Sequence, residues 1–207
     1  MRLISVNIGQ RRLLRIAGFS EETGIFKTPI STPAEITPLG LVGDVVADQE
    51  HHGGLDQAVY LYGEPDYAWW SVQLGYELAP GTFGENLTIS GLESAALHIG
   101  DILQVGEARL QVTAARIPCA TLAARMGDPG FVKRFRAAER PGAYCRVLQP
   151  GVVRVGDAVT LESYPGVAVT VAEMFQAFYN PRPDAESVRR LLETPLAERA
   201  RAALEEK

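Results

Sequence analysis

The apolar positions of this chain fall into two regimes. Up to about residue 165 they come in short runs rich in β-branched and aromatic residues, each cut by Gly or Pro. Such runs read as strands. They predict strands at 3–8, 45–46, 58–62, 86–89, 102–105, 108–112, 144–148, 152–153 and 158–161. Gly106-Glu107 suits a two-residue hairpin turn with Gly first. Pro150-Gly151 marks another turn. Strands this short and numerous predict a mainly β barrel or sandwich, not alternating βαβ units. Gly-Asp recurs before apolar runs at Gly43-Asp44, Gly100-Asp101 and Gly156-Asp157, too irregularly for a solenoid. It reads as a reused turn that feeds a strand.

A few short helices interrupt the strands. Pro65 suits the first position of a helix over 66–74, which Gly75 stops. Residues 120–126 form a second, ended by Gly127. Asp128-Pro129 predicts the cap and first turn of a third, reaching about residue 139. Beyond Pro165 the period becomes helical. Thr170-Val171-Ala172-Glu173 is a capping box ahead of Met174, Phe175 and Phe178. Asp184 caps a helix carrying Val188, Leu191 and Leu192. Thr194-Pro195 starts a last helix through residue 204. The expected division is a β domain, 1–165, and a small three-helix segment, 166–207. Helices of about ten residues make a poor core alone. They are expected to pack on one another and on the β domain, or on a second copy in a homodimer.

Charge and composition then exclude whole classes. Twenty Lys+Arg against 25 Asp+Glu give a net charge of −5, which argues against general nucleic-acid binding. No stretch approaches the ~20 apolar residues of a membrane span, and the first seven residues do not read as a signal peptide. No membrane association is expected, and the expected compartment is the cytoplasm. Two Cys exclude a multi-disulfide scaffold, a four-cysteine zinc site and a four-cysteine iron–sulfur cluster. No G-x-G-x-x-G or P-loop is present.

Cys119, in Arg116-Ile117-Pro118-Cys119, is the sharpest candidate for chemistry. It stands immediately before a predicted helix, where unpaired amides favour an anion, and Arg116 adds positive charge. A thiolate there serves as a soft metal ligand or a nucleophile; a buried structural Cys is the competing reading. Cys145, within a strand, reads as structural. His52-Gly53-Gly54-Leu55-Asp56 comes second. Paired glycines expose backbone amides, His52 can donate, ligate or transfer a proton, and Asp56 can orient it. A polar turn is the plainer reading. His51 and His52 with Asp44 and Asp48 also permit a metal site, ranked lower. Phe83-Gly84-Glu85-Asn86 offers an amide that donates and accepts, or a loop that caps a strand. Arg146 alternates with Cys145, so the two face opposite ways. Lys27 draws attention because the chain has three Lys, although a surface position is usual. Arg11, Arg12 and Arg15 read as a solvated face.

In order, Lys27, Gly43-Asp44, His52-Gly53-Gly54-x-Asp56-x-Ala58-Val59, Phe83-Gly84-Glu85-Asn86-Leu87, Gly100-Asp101 and Arg116-x-Pro118-Cys119 resemble the MOSC domain, its YiiM-like branch in particular. That family is named after the C-terminal domain of molybdenum-cofactor sulfurase. The blocks span about 1–165, and the helical tail resembles the segment that follows MOSC in that branch. The resemblance implies a MOSC-type β-barrel holding the molybdenum cofactor, a molybdopterin. Cys119 maps onto the family's metal-ligating or sulfur-carrying cysteine. Lys27, Gly53, Gly54, Asp56, Asn86, Arg116 and Arg146 map onto cofactor-binding positions. It further implies reduction of N-hydroxylated small molecules such as hydroxylaminopurines, with His52 as proton donor. The missing nucleotide and cluster motifs then require an external redox partner. Two other readings stand beside it: a sulfur or cofactor carrier acting through a Cys119 persulfide, and a Cys hydrolase with His52 as base. The latter requires His52 within reach of the thiol. Two departures concern substrate: His51 has no counterpart, and Ala120-Thr121 replaces a larger aromatic neighbour of the cysteine.

Overall fold

A computed structural model describes residues 1–16, 18–48 and 52–206. The strands are β1 (Leu3–Gly9), β2 (Arg12–Ile16), β3 (Phe19–Thr23), β4 (Lys27–Ile30), β5 (Ala34–Thr37), β6 (Gly40–Leu41), β7 (Val59–Gly63), β8 (Leu87–Ile89), β9 (Ile102–Val105), β10 (Ala108–Ala115), β11 (Ala143–Gln149), β12 (Gly151–Val153) and β13 (Val159–Glu162). Eight of them form one sheet in the order β13-β9-β10-β11-β7-β8-β1-β4. Its pairs are antiparallel except β7–β8. A parallel pair needs a crossover, and helix α1 (Glu64–Leu74) supplies it.

The mainly β fold agrees with the sequence; a closed barrel does not. The sheet rolls until Arg2 meets Ala158 in one isolated bridge. Leu3 N donates to Asp157 O at 2.9 Å and Gly156 N to Leu3 O at 2.8 Å, but no ladder continues, and β13 and β4 remain edges. Residues 45–46 are also not a strand. Val45 gives its N–H to Gly9 O at 3.1 Å, and the segment runs on as irregular wall. Past Pro150, β12 leaves the large sheet and pairs with β5. The β2–β3 ribbon, where Arg12 and Arg15 had read only as a solvated face, carries no apolar alternation strong enough to announce it. Most of its side chains are exposed.

The helices follow their caps. Helix α2 (Ala120–Met126) ends at Gly127 in the left-handed conformation. Helix α3 (Phe131–Ala138) begins later than Asp128-Pro129 suggested. Asp128 instead accepts from Gly130 N at 2.8 Å and makes a turn ahead of the helix. Helix α4 (Val171–Tyr179) carries the complete Thr170–Glu173 capping box, and Asp184 caps α5 (Ala185–Leu192). Helix α6 (Glu198–Glu205) starts after Ala197, not at Pro195; Leu196 and Ala197 are buried as an extended lead-in. No helix among the described residues is long and apolar enough to cross a membrane.

The helices fasten to the sheet through aromatic side chains. Trp70 of α1 and Phe131 and Phe135 of α3 gather around Phe83, with ring centroids 5.1 to 6.4 Å apart. Tyr62 stacks on Phe83 at 4.6 Å and accepts a 2.8 Å hydrogen bond from Trp70 Nε1. Burying rings with their polar tips satisfied makes a stiff support. Removing Phe135, which is fully buried, is expected to cost about 3–5 kcal/mol. Urea unfolding of Phe135→Ala beside wild type measures it.

Candidate functional site

Cys119 lies where β10 has ended and α2 begins, as the N-cap of that helix. Pro118 keeps the chain extended up to it. The side chain is partly buried in a cavity of about 120 Å3. The same cavity is lined by Lys27, His52, Gly53, Asn86 and Arg116, and also by Tyr60, Tyr144 and the acidic Glu21 and Glu22 of β3. Five residues singled out in sequence therefore meet Cys119 in one place.

Each arrives there for a local reason. Arg116 follows β10, and only 3% of it is exposed. Its guanidinium lies 5.6 Å from the Tyr60 ring and 5.9 Å from the Phe135 ring. Its Nη1 is buried without a hydrogen-bond partner. A buried orphan donor on an always-charged group is costly, so this nitrogen is poised for an anion. His52 precedes two glycines with φ of 86° and 77°, the left-handed region that a side chain resists. Its Nδ1 lies 3.3 Å from Tyr144 Oη. Burial pushes the Tyr144 phenol up, so it stays protonated, and its hydroxyl can donate to this nitrogen or accept from it according to the form of the ring.

Lys27 opens β4 and is buried, not on the surface. It pairs with Asp44, which also accepts from Asn86 Nδ2 at 2.8 Å and from Gly9 N at 2.7 Å. Burial pushes the Lys27 ammonium down, while Asp44 pulls it back up. Asn86 accepts from Tyr60 N at 3.1 Å through its Oδ1, so its amide is already engaged as it reaches the cavity wall. In sequence Asp44 stood out as half of a Gly-Asp turn and as a member of a lower-ranked metal-site reading. Its role depends on Gly9, Lys27 and Asn86 converging, which no local pattern reveals.

Asp56 and Arg146 lie elsewhere. They pair with each other at 2.9 Å, and neither lines the cavity, nor does Gly54. Arg146 and Cys145 face opposite ways, as alternation requires. Cys145 is fully buried, and burial alone pushes its thiol up. His51 lies outside the described residues. Among those described, no three His, Cys, Asp or Glu side chains converge as a metal site.

Burial pushes the Cys119 thiol up, but three influences outweigh it. A hydrogen bond from His52, the charge of Arg116 and the Leu122 amide bring it down to about 6. Cys119 is therefore mostly thiolate at neutral pH. The sequence pointed to Arg116 and the helix start, but the largest lowering influence, His52, comes from a distant loop. Tyr144 and Tyr60 were missed as well. Their only sequence signal was alternation on β11 and β7.

Taken with the fold, this makes the molecule a rolled-sheet protein built around one acidic cysteine. The chain belongs to the MOSC domain family: residues 48–160 match that domain, and residues 169–207 match the YiiM-like, 3-alpha helix domain. It is 30% identical to Protein YiiM of Escherichia coli (strain K12), over 82% of this chain and 77% of that one. The crystal structure of YiiM from Geobacillus stearothermophilus superposes with a TM-score of 0.82 at 27% identity, covering 99% of this chain and 97% of that one. A protein of Gibberella moniliformis named Reductase is 31% identical over 69% of this chain, which spans only 26% of it.

Alkylation by iodoacetamide is expected to label Cys119 with a midpoint near pH 6 and to spare Cys145 in the folded protein. His52→Ala should move that midpoint up toward the ~8.5 of a free thiol. The same shift links to folding. The unfolded chain binds the extra proton between these two values, so the thiolate's contribution to stability is complete above ~8.5 and lost as pH falls through about 6. The urea midpoint of wild type should therefore gain on that of Cys119→Ser as pH rises across this window.

Proposed function

We propose that this protein binds the molybdenum cofactor at the Cys119 pocket and acts as an oxidoreductase on N-hydroxylated small molecules. The observation that carries this is the buried, unpartnered Nη1 of Arg116 in the cavity that holds an acidic cysteine. The donor set fits the group. A thiolate is a soft ligand for a transition metal, and Arg116 with Lys27 and the Gly53 backbone offers donors to anionic or polar atoms. The enclosed volume, about 120 Å3, is below the ~300 Å3 of a typical small-molecule pocket. A group larger than this volume would extend beyond the cavity, with Cys119, Arg116 and Lys27 as the residues that would hold it.

When bound, the cofactor supplies the two-electron redox change. The reaction balances as R–NH–OH + 2 H⁺ + 2 e⁻ → R–NH₂ + H₂O. The N–O bond breaks, the oxygen leaves as water, and the nitrogen is reduced. His52, once protonated on both ring nitrogens, donates one of these protons, and Tyr144 orients the ring. Arg116 holds negative charge in place throughout, because its own proton is not given up. Electrons come from an external redox partner protein. The relative named Reductase supports the class of reaction.

A second reading rests on the same acidic thiol: a carrier that holds a persulfide on Cys119. A Cys hydrolase with His52 as base would draw on the same two neighbours, which share the cavity. The buried Arg116, which hydrolysis does not need, favours the cofactor.

Protein purified from a host that makes the cofactor is expected to carry molybdenum and pterin. Cys119→Ser should lose the metal while keeping the fold, since Ser is a favoured N-cap. Neither metal nor pterin in wild type, even after reconstitution, would overturn the reading. A persulfide on Cys119 by mass spectrometry, without reductase activity, would replace it with the carrier.

A further inference from the structure

Asp56 follows His52 by four residues, with Gly53 and Gly54 between them. Its carboxylate does not face the cavity. One oxygen pairs with Arg146 Nη2 at 2.9 Å, and the other accepts from Glu198 N at 2.8 Å. Glu198 opens α6, whose N-cap, Ala197, has no side chain to cap it. Asp56 therefore caps this helix from a remote loop, at the end that favours a negative charge. Arg146 completes the clamp by donating to Pro195 O and Leu196 O, both at 3.2 Å. Thr113 closes the circuit. It donates its hydroxyl to Asp56 O and accepts from Ala197 N at 3.0 Å.

Two glycines in left-handed geometry give His52 no rigidity of their own. On its near side His52 N donates to Asp48 O at 3.1 Å. On its far side the loop is held where Gln57 N donates to Gly54 O at 3.3 Å, where Gln57 Oε1 accepts from Arg199 Nη1 at 3.5 Å, and where Asp56 meets α6. We propose that Asp56 and Arg146 are positioning residues, through which the three-helix segment keeps the His52 loop in place over Cys119. The inference is independent of what the cavity binds. It gives the tail a task that packing alone does not, and it explains why an Asp stands beyond the paired glycines without lining the cavity. The thiol also faces Arg116, and Tyr60, Tyr144, Lys27, Asp48, Glu21 and Glu22 share its cavity. The variants below leave all of these in place.

The test follows the His52 ring by NMR, which three His in the chain make tractable. Wild type should show an Overhauser contact between the His52 and Tyr144 rings. Asp56→Ala is expected to abolish that contact and shift the His52 ring signals in a protein that remains folded by circular dichroism. An unchanged His52 signal and contact in folded Asp56→Ala would overturn the proposal and leave the clamp a structural contact. Should Asp56→Ala fail to fold, Glu198→Pro decides. Pro is favoured at the first helical position, so α6 persists, but the N–H that reaches Asp56 is gone. Amide exchange in residues 52–57 is expected to quicken about tenfold, the equivalent of one hydrogen bond to a charged group. Unchanged exchange there would overturn the proposal.

Discussion

A guanidinium that cannot lose its charge stands almost fully buried beside Cys119, and the rest of the site follows from accommodating it. Arg116 has two aromatic faces near it and a nitrogen without a partner. A buried charge of this kind needs a counter-charge close by. The Cys119 thiolate is one, which ties the acidity of the thiol to the burial of the arginine. A ligand with negative charge is a second. On the proposed function, Arg116 gives an anionic ligand a local partner although the chain as a whole is acidic and Glu21, Glu22 and Asp48 share the cavity. Net charge describes the long-range field, and a half-enclosed cleft answers to its own lining.

Holding that arrangement requires a stiff surround. The aromatic cluster of Tyr62, Trp70, Phe83, Phe131 and Phe135 backs the arginine and joins α1 and α3 to the sheet. The Lys27–Asp44–Asn86 group performs the same task with polar contacts, pinning β1, β4 and the start of β8 around one carboxylate. Beside these walls stands the His52 loop. Its glycines permit an unusual path, and the Asp56 clamp removes the freedom they bring. The three-helix segment so becomes part of the pocket's framework without lining it.

The rolled sheet serves the same end. It brings β7, β10 and β11 side by side, so that Tyr60, Tyr144 and the end of β10 share one cavity. Full closure is not needed for this. The bridge between Arg2 and Ala158, with the hydrogen bonds around it, brings the start of β1 against the start of β13. The parallel β7–β8 pair, with α1 as its crossover, carries Asn86 to the cavity wall beside Tyr60.

Much of this was legible in the chain. Period-2 runs located most strands of the large sheet, and Thr170–Glu173 and Asp184 located helix starts, because these signals act between residues a few positions apart. The motif order gave the family and drew attention to Cys119, His52, Lys27, Asn86 and Arg116. What the sequence could not decide was partnership across long separations. Asp56 looked like an orienting group for His52 in the pocket. Arg146, 90 positions on, and Glu198 turned it outward into a clamp. Lys27 looked like a surface cation until Asp44 and the surrounding walls made its burial tolerable. The open edge of the sheet and the β2–β3 ribbon depend on pairings that local propensity does not encode. Residue types and their order thus determined which chemistry the chain holds. Tertiary structure decided which groups face the cavity, because burial and electrostatic pairing are set by neighbours in space and not in sequence.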